Sequence, residues 1–414
     1  MQSKIIGMFF LITVFFSVFY SCKEAGKYLN RDIVPEQTDG SDSNSNNENK
    51  APLDPSSPIN DPENTDLYEK PIGEIKFIGN YSKERVCQRD DIIFCDDFDT
   101  YKVGVDSSAV VIQEVDRRWK HWDKKNKYNY VDNPNSSIRP PVRKDNATQI
   151  IPGGVTKAAS TNMLQFKIAQ NPYYRASGCT TNASINEGTD DANVFLTFCG
   201  GFLLSSRQEG VQDTPCYGYD RVFVRYYMKF EKGYKQGCWN HASSIQGCTA
   251  VDQWSCKDPP ISEGLRFSSG VEGYSGEQYG SSRFPYTVGY PGATTFYTYW
   301  HSMVGQYGTQ TYTATNPADL HYMEDDRWYS VEVMIKMNDP GVKNGEQALW
   351  IDGIKVIHST DIDWRKATGE SAKMGSNLFR LHRFIHYSPQ ENRVYHDNIV
   401  VSTNYIGVIE NDLP

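Results

Sequence analysis

The sequence predicts an all-β protein, a sandwich of two antiparallel sheets, and three observations carry that expectation. Tyrosine and glycine are abundant, at 27 and 32 residues, with no long alanine- or leucine-rich stretch to seed a helical bundle. Several segments alternate apolar and polar side chains with period two, and none sustains a helical period. One Asp-Gly pair, Asp352-Gly353, stands between two apolar runs and can take the positive φ angles that a two-residue hairpin turn needs.

Taken in chain order, the first element is an export signal. Lys4 supplies a positive start, and the run from Ile5 to Tyr20 is almost wholly apolar yet short for a bilayer span. Ser21-Cys22 follows, a junction resembling that of bacterial lipoproteins, where cleavage just before a cysteine exposes it to lipidation. Cys22 is therefore the expected lipid anchor, residues 1–21 the signal, and the destination a bacterial outer membrane or cell surface. The alternative is an uncleaved N-terminal anchor. Residues 22–74 are rich in Asn, Ser, Asp, Pro and Glu and nearly free of aromatic residues. Such a segment buries too little apolar surface to offset its ordering entropy, so it is expected to be a disordered tether, with the sandwich over residues 75–414.

Charge and cysteine usage narrow the partners. The 414 residues carry 42 Lys and Arg against 51 Asp and Glu, a formal net charge of −9. A general nucleic-acid binder needs a basic surface, so nucleic acid is excluded and any polyanion must meet a local basic patch. Beyond Cys22 there remain Cys87, Cys95, Cys179, Cys199, Cys216, Cys238, Cys248 and Cys256. An even number in an exported chain suggests up to four disulfides, with local staples between Cys87 and Cys95 and from Cys238 to Cys248 or Cys256. The spacings form no paired C-x-x-C set for zinc.

Within the sandwich, Arg221 to Phe230 places Val222, Val224, Tyr226, Met228 and Phe230 on one face and Arg225, Tyr227 and Lys229 on the other. Thr295 to Val304 repeats the pattern, with Phe296, Trp300 and Val304 inward and Tyr297, Tyr299 and His301 outward. Trp328 to Met337 turns Tyr329, Val331, Val333, Ile335 and Met337 inward. A hairpin follows at Asp352-Gly353. Leu378 to Tyr387 carries Arg380, His382 and His386 on one side, and Val394 to Ser402 is a last strand. Two packed sheets of jelly-roll type accommodate these strands. Arg225, Tyr227, Tyr297, Tyr299 and His301 would then share the concave outer surface of one sheet, where rings stack on sugars and cations meet carboxylates or sulfates.

These residues resemble the jelly-roll polysaccharide lyases of families 14 and 20, which include alginate and glucuronan lyases, and the related fungal cellulose-induced protein. The stretch from Asp326 to Gly353 matches best, with its strand, Asn338-Asp-Pro-Gly341 loop and Trp350-Ile-Asp-Gly353 hairpin. Further matches are Arg225 to Gly233, Tyr297-Thr-Tyr299 leading to Gln306-Tyr-Gly308, and Tyr395 to Ser402, with Cys95-Asp-Asp-Phe-Asp99 as a first strand. The resemblance implies a concanavalin-like jelly-roll β-sandwich. It also implies catalytic roles for Arg266, Tyr297 and Tyr299. The position of the family's lysine falls near His241, so that lysine is replaced, and the stretch between Arg266 and Tyr297 is longer and rich in Gly and Tyr, which suggests a reshaped cleft.

A lyase removes the proton beside a uronate carboxylate and expels the 4-linked sugar, which takes a carboxylate-neutralising group, a base and an acid. Arg266 suits the first role through two parallel donors, although an ion pair with Glu263 or Glu272 would account for it equally. Tyr297 or Tyr299 would act as base and acid, assisted by His241 or His301. Arg225, Tyr227, Lys229, His301, His382 and His386 are the expected substrate contacts. No cofactor is required; Asp97 and Asp397, near the first and last strands, are candidate ligands of a structural calcium ion. The expectation is a monomeric, membrane-tethered lyase of an acidic polysaccharide. The alternative is a carbohydrate-binding lipoprotein that kept the groove without the chemistry.

Overall fold

The computed structural model describes residues 79–101, 147–168, 170, 189–197, 218–235, 238–248, 261–274, 293–304, 308–313, 320–386 and 388–409. The chain divides into units Met1–Asp54 and Pro55–Pro414, and every described residue belongs to the second. The signal, Cys22 and the tether therefore lie outside the described residues. Among the described residues no helix is long and apolar enough to cross a membrane.

Sixteen named strands form two sheets. The larger runs β1 (Gly79–Tyr81), β2 (Ile92–Asp96), β16 (Asn392–Ser402), β6 (Arg221–Phe230), β12 (Trp328–Lys336), β13 (Gly345–Ile351) and β14 (Ile354–Ile362). On the β2 side of β16, its first half pairs instead with β4 (Asn162–Ile168), which pairs with β3 (Ala147–Pro152). The handover from β4 to β2 coincides with a register shift between Asp397 and Val400, where Asn398 takes a φ of 45°. The smaller sheet runs β11 (Thr309–Tyr312), β10 (Ala293–Tyr299), β9 (Arg266–Tyr274), β8 (Ser244–Cys248), β15 (Leu378–His386) and β5 (Thr189–Thr197), with β7 (Cys238–His241) also on β15. Pairing is antiparallel throughout except between β1 and β2, which run parallel.

The period-two sets explain why the sheets pack. Val222, Val224, Tyr226, Met228 and Phe230 from β6, with Tyr329, Val331, Val333 and Ile335 from β12, meet Phe267, Val271, Phe296, Phe379 and Leu381 of the smaller sheet in one core. At roughly 25 cal/mol per Å² of apolar surface, such burial is the main term holding the sandwich together. The hairpin forms as expected, with Asp352 and Gly353 at φ 52° and 81°. Two boundaries differ. The strand beginning near Thr295 ends at Tyr299, so Val304 is not inward but 95% exposed. The segment Cys95–Asp99 is the end of β2 and a turn, with Phe98 at φ 60°.

The outer face of the larger sheet is covered over much of its area, which corrects the shared groove. Arg225 and Tyr227 lie on this sheet, away from Tyr297 and Tyr299 on the other. Arg225 is 1% exposed, donates to both Glu84 carboxylate oxygens and to the Gly407 carbonyl (3.1 Å), and stacks 5.3 Å from the Tyr227 ring. The Tyr227 hydroxyl accepts the Ile409 N–H at 2.9 Å. Beside them Phe223, Met334, Trp350 and Val400 form a second apolar cluster with Cys87, Ile92 and Ile406. Strand alternation identifies the side correctly, but Glu84 and the segment from Ile406 to Ile409 fold over it.

Cys87 and Cys95 form the expected local disulfide, and Cys248 is disulfide-bonded as well. The other cysteine side chains lie outside the described set. The first and last long strands do pair, Asp96 opposite Ile399. The acidic side chains there serve backbone donors. Asp97 accepts the N–H groups of Lys83 (3.2 Å) and Asp99 (3.1 Å), and Asp397 those of Val155 (2.8 Å) and Asn398 (2.8 Å). Among the described residues, no group of three or more His, Cys, Asp or Glu side chains is placed to hold a metal ion. Asp97 and Asp397 thus serve as acceptors for these backbone N–H groups.

Candidate active site

The outer face of the smaller sheet is assembled by register. Directly opposed residues of an antiparallel pair share a face. Tyr297 of β10 lies opposite Gly270 of β9, which lies opposite Ser244 of β8, which lies opposite Arg380 of β15. One row along, Tyr299 lies opposite Ser268, itself opposite Gln246. On β9, Arg266, Ser268, Gly270 and Glu272 therefore line one face with the two tyrosines, while Phe267, Ser269 and Val271 turn inward. The middle of each row is small, so a trough of Gly270, Ser244 and Ser268 separates the tyrosines from Arg380. Gly270 has little choice: a Cβ there would stand 3.0 Å from the Ser243 carbonyl oxygen.

Four side chains converge at one end of this face. The His241 Nδ1 bonds the Glu272 carboxylate, and the His241 ring stacks on the Tyr297 ring at 5.5 Å with 23° between planes. The Tyr297 and Tyr299 hydroxyls share a hydrogen bond of 2.9 Å, their rings edge to face at 5.1 Å. The Tyr297 oxygen also accepts the Gly308 N–H at 3.1 Å. That close approach needs glycine, because a Cβ on Gly308 would lie 2.9 Å from the Tyr299 ring and 3.0 Å from that of Tyr297. Tyr297 and Tyr299 are both half-buried.

Electrostatics divides the roles. Burial pushes the Tyr297 phenol well above its ordinary value, and the Tyr299 hydroxyl and Glu272 carboxylate push it the same way; only the Gly308 N–H opposes them. Tyr297 thus holds its proton and is suited to donate it to the Tyr299 oxygen. Burial likewise raises the Glu272 carboxyl, while His241, Arg383 and Gln310 draw it back down. Arg383 faces inward from β15, with Tyr234 accepting its Nε–H at 2.8 Å. It supports Glu272 electrostatically from the core side.

The remaining expected contacts are distributed differently. Arg266 shares the face and is a diagonal neighbour of Tyr299, about 7–8 Å away by strand geometry. An ion pair between Arg266 and Glu272 is ruled out by six residues of extended strand, roughly 20 Å. His301 lies past the end of β10, and its Nε2 pairs with Asp363 at 3.2 Å, so it does not join the site. Lys229 belongs to the larger sheet. His382 and His386 lie on β15, opposite Asn193 and Thr189, and their side chains lie outside the described set. The residues between β9 and β10 also lie outside it. Sequence reasoning missed Glu272 as the partner of His241, Gly308, and Arg380 as a member of the Tyr297 row. The available signal for Glu272 was its even spacing from Arg266 on one strand.

No protein-family model matches the chain, and no curated protein matches it. Among solved structures, a mutant of alginate lyase Aly36B in complex with alginate tetrasaccharide is similar at 13% identity and a TM-score of 0.41, over 76% of this chain and 98% of that one. The alginate lyase vAL-1 from Chlorella virus is similar at 14% identity and 0.38, over 63% and 90%. The endo-beta-1,4-glucuronan lyase from the fungus Trichoderma reesei is similar at 13% identity and 0.32, over 65% and 93%.

Proposed function

We propose that the protein cleaves a uronate-containing polysaccharide by β-elimination on the outer face of the smaller sheet. The observation that carries this reading is the contiguous set Glu272–His241–Tyr297–Tyr299, a carboxylate-anchored imidazole stacked on a hydrogen-bonded pair of phenols. With Nδ1 held by Glu272, proton chemistry at His241 runs through Nε2. The imidazole takes the proton beside the uronate carboxylate, and the buried Glu272 carboxylate steadies the imidazolium that results. The released electron pair forms the new double bond, the 4-linked C–O bond breaks, and Tyr299 gives its proton to the leaving oxygen. Tyr297, whose own proton is held tightly, donates to Tyr299 and stabilises its phenolate. Arg266 meets the carboxylate, whose charge grows as the proton departs.

A phenol is a poor base at neutral pH, and burial makes Tyr297 a poorer one. The same feature therefore favours histidine as base and tyrosine as acid. The expected lysine is absent, and His241 supplies a basic group at that end of the face. Lipidation at Cys22 belongs to this proposal as well, supported by the apolar run that precedes it.

The test is incubation of the protein with alginate, glucuronan and a glycosaminoglycan while following the ultraviolet absorbance of the unsaturated product. Rising absorbance with at least one substrate is expected. Binding without any absorbance change would replace the enzyme by a glycan-binding module, and new reducing ends without unsaturation would make it a hydrolase.

A further inference from the structure

A second row of side chains crosses the larger sheet on its outer face, and the lyase reading makes no use of it. Trp328 of β12 lies opposite Lys229 of β6, which lies opposite Tyr395 of β16, then Gln165 of β4 and Gln149 of β3. Five consecutive strands thus present aromatic, cation, aromatic, amide and amide in line. The Lys229 ammonium lies 5.5 Å from each ring centre, between Trp328 and Tyr395. Gln165 Nε2 donates to Gln149 Oε1 at 3.1 Å. Trp328, Tyr395, Lys229 and Gln149 are all partly exposed, unlike Tyr227 and Arg225, one and two rows away.

We propose that this row is a non-catalytic binding surface for an acidic polysaccharide chain running across the strands. Trp328 and Tyr395 are two strand spacings apart, roughly 9.6 Å, close to the length of two sugar units in an extended chain. A chain laid across the row therefore stacks alternate sugars on the two rings and brings the intervening one over Lys229. The ammonium there meets a carboxylate; its protein partner is Asp326, at 3.7 Å and largely exposed. Neither the Trp328 indole N–H nor the Tyr395 hydroxyl has a hydrogen-bond partner among the described residues, so both remain to serve sugar hydroxyls together with the partly exposed Gln149, which the buried Gln165 orients. The surface lies on the sheet opposite the candidate active site, so it holds polymer without occluding the chemistry. The choice of an acidic ligand rests on the lyase reading; the row itself does not.

The experiment uses the full chain carrying Tyr299→Phe, run in native gels containing alginate, glucuronan, a sulfated glycosaminoglycan or a neutral glucan. Retardation by at least one acidic polymer is expected, weakened about tenfold when Trp328→Ala and Tyr395→Ala are added. Cleavage of short oligosaccharides by a chain carrying only those two alanines should be unchanged. Equal retardation with and without the rings, or none by any acidic polymer, overturns the proposal. Self-association abolished by the same substitutions overturns it too, by making the face a contact between copies. If the double variant misfolds, Lys229→Gln decides: weaker retardation supports the surface and unchanged retardation removes it. A wild-type chain that cleaves nothing, yet loses retardation with the rings, separates the two readings, leaving the surface and ending the lyase.

Discussion

The outer faces of the two sheets begin with the same residue types and end in opposite conditions. On the larger sheet Arg225 and Tyr227 are sealed beneath Glu84 and the residues around Gly407. On the smaller sheet Tyr297 and Tyr299 stay half-exposed, next to an imidazole and above a floor of glycine and serine. An arginine and a tyrosine alternating outward on a strand are thus equally good material for a buried ion pair and for a reaction surface. What separates the outcomes is the chain that comes to lie over them.

Substitutions on the two faces should accordingly fail in different ways. The largest effect is expected from Tyr299→Phe, which removes the proposed acid: turnover should fall by about 10³-fold, within the range typical of a lost general acid, with little change in the thermal midpoint. A variant that retains full turnover removes Tyr299 from the mechanism. Arg225→Ala should do the reverse. Leaving Glu84 without its buried partner should cost about 3–5 kcal/mol in denaturant unfolding, and turnover per folded molecule should be unchanged.

Glu272→Gln sharpens the contrast on the catalytic side. It keeps the shape of the site but removes the charge that steadies the imidazolium, so kcat should fall about 10²-fold with KM within about twofold. An unchanged kcat would mean that the Glu272–His241 pair does not supply the base. The smallest effect concerns pH and stability on the larger sheet. Burial raises the carboxyl of Asp397 to about 8 and that of Glu332 to about 7, so each is favoured in its protonated form when folded. Their contribution is fully present below about pH 4, declines progressively above it and is lost as pH rises through 7 to 8, so the protein should be less stable at pH 8 than at pH 5. Asp397→Asn should flatten that part of the profile in denaturation midpoints measured at the two pH values.

Much of the scaffold was legible in the sequence because its signals are local. Alternation in Arg221–Phe230 and Trp328–Lys336 identifies the core face, and Asp352-Gly353 demands its turn whatever lies around it. The Tyr297-Thr-Tyr299 spacing likewise delivers two hydroxyls to one face. What stayed hidden depends on contacts far apart in sequence. Glu84 is 141 residues from Arg225, and Glu272 is 31 residues from His241, on a strand too rich in serine and glycine to advertise a face. His301 shares the parity of Tyr299, but the strand stops first, and the chain turns toward Asp363. Periodicity gives a direction only while the strand lasts.

The position of β16 imposes an order on how the molecule can be completed. This strand follows all the other strands of the larger sheet in sequence yet sits in its interior, flanked on one side by β6 and on the other by β2 and β4. Just beyond it, Glu332 accepts the N–H groups of Ile406 and Gly407. A polypeptide that emerges N-terminus first must wait with a gap in the middle of this sheet until β16 arrives, so the larger sheet closes only when its latest strand is in place, and substitutions that weaken β16 should be more damaging than equivalent ones on an edge strand.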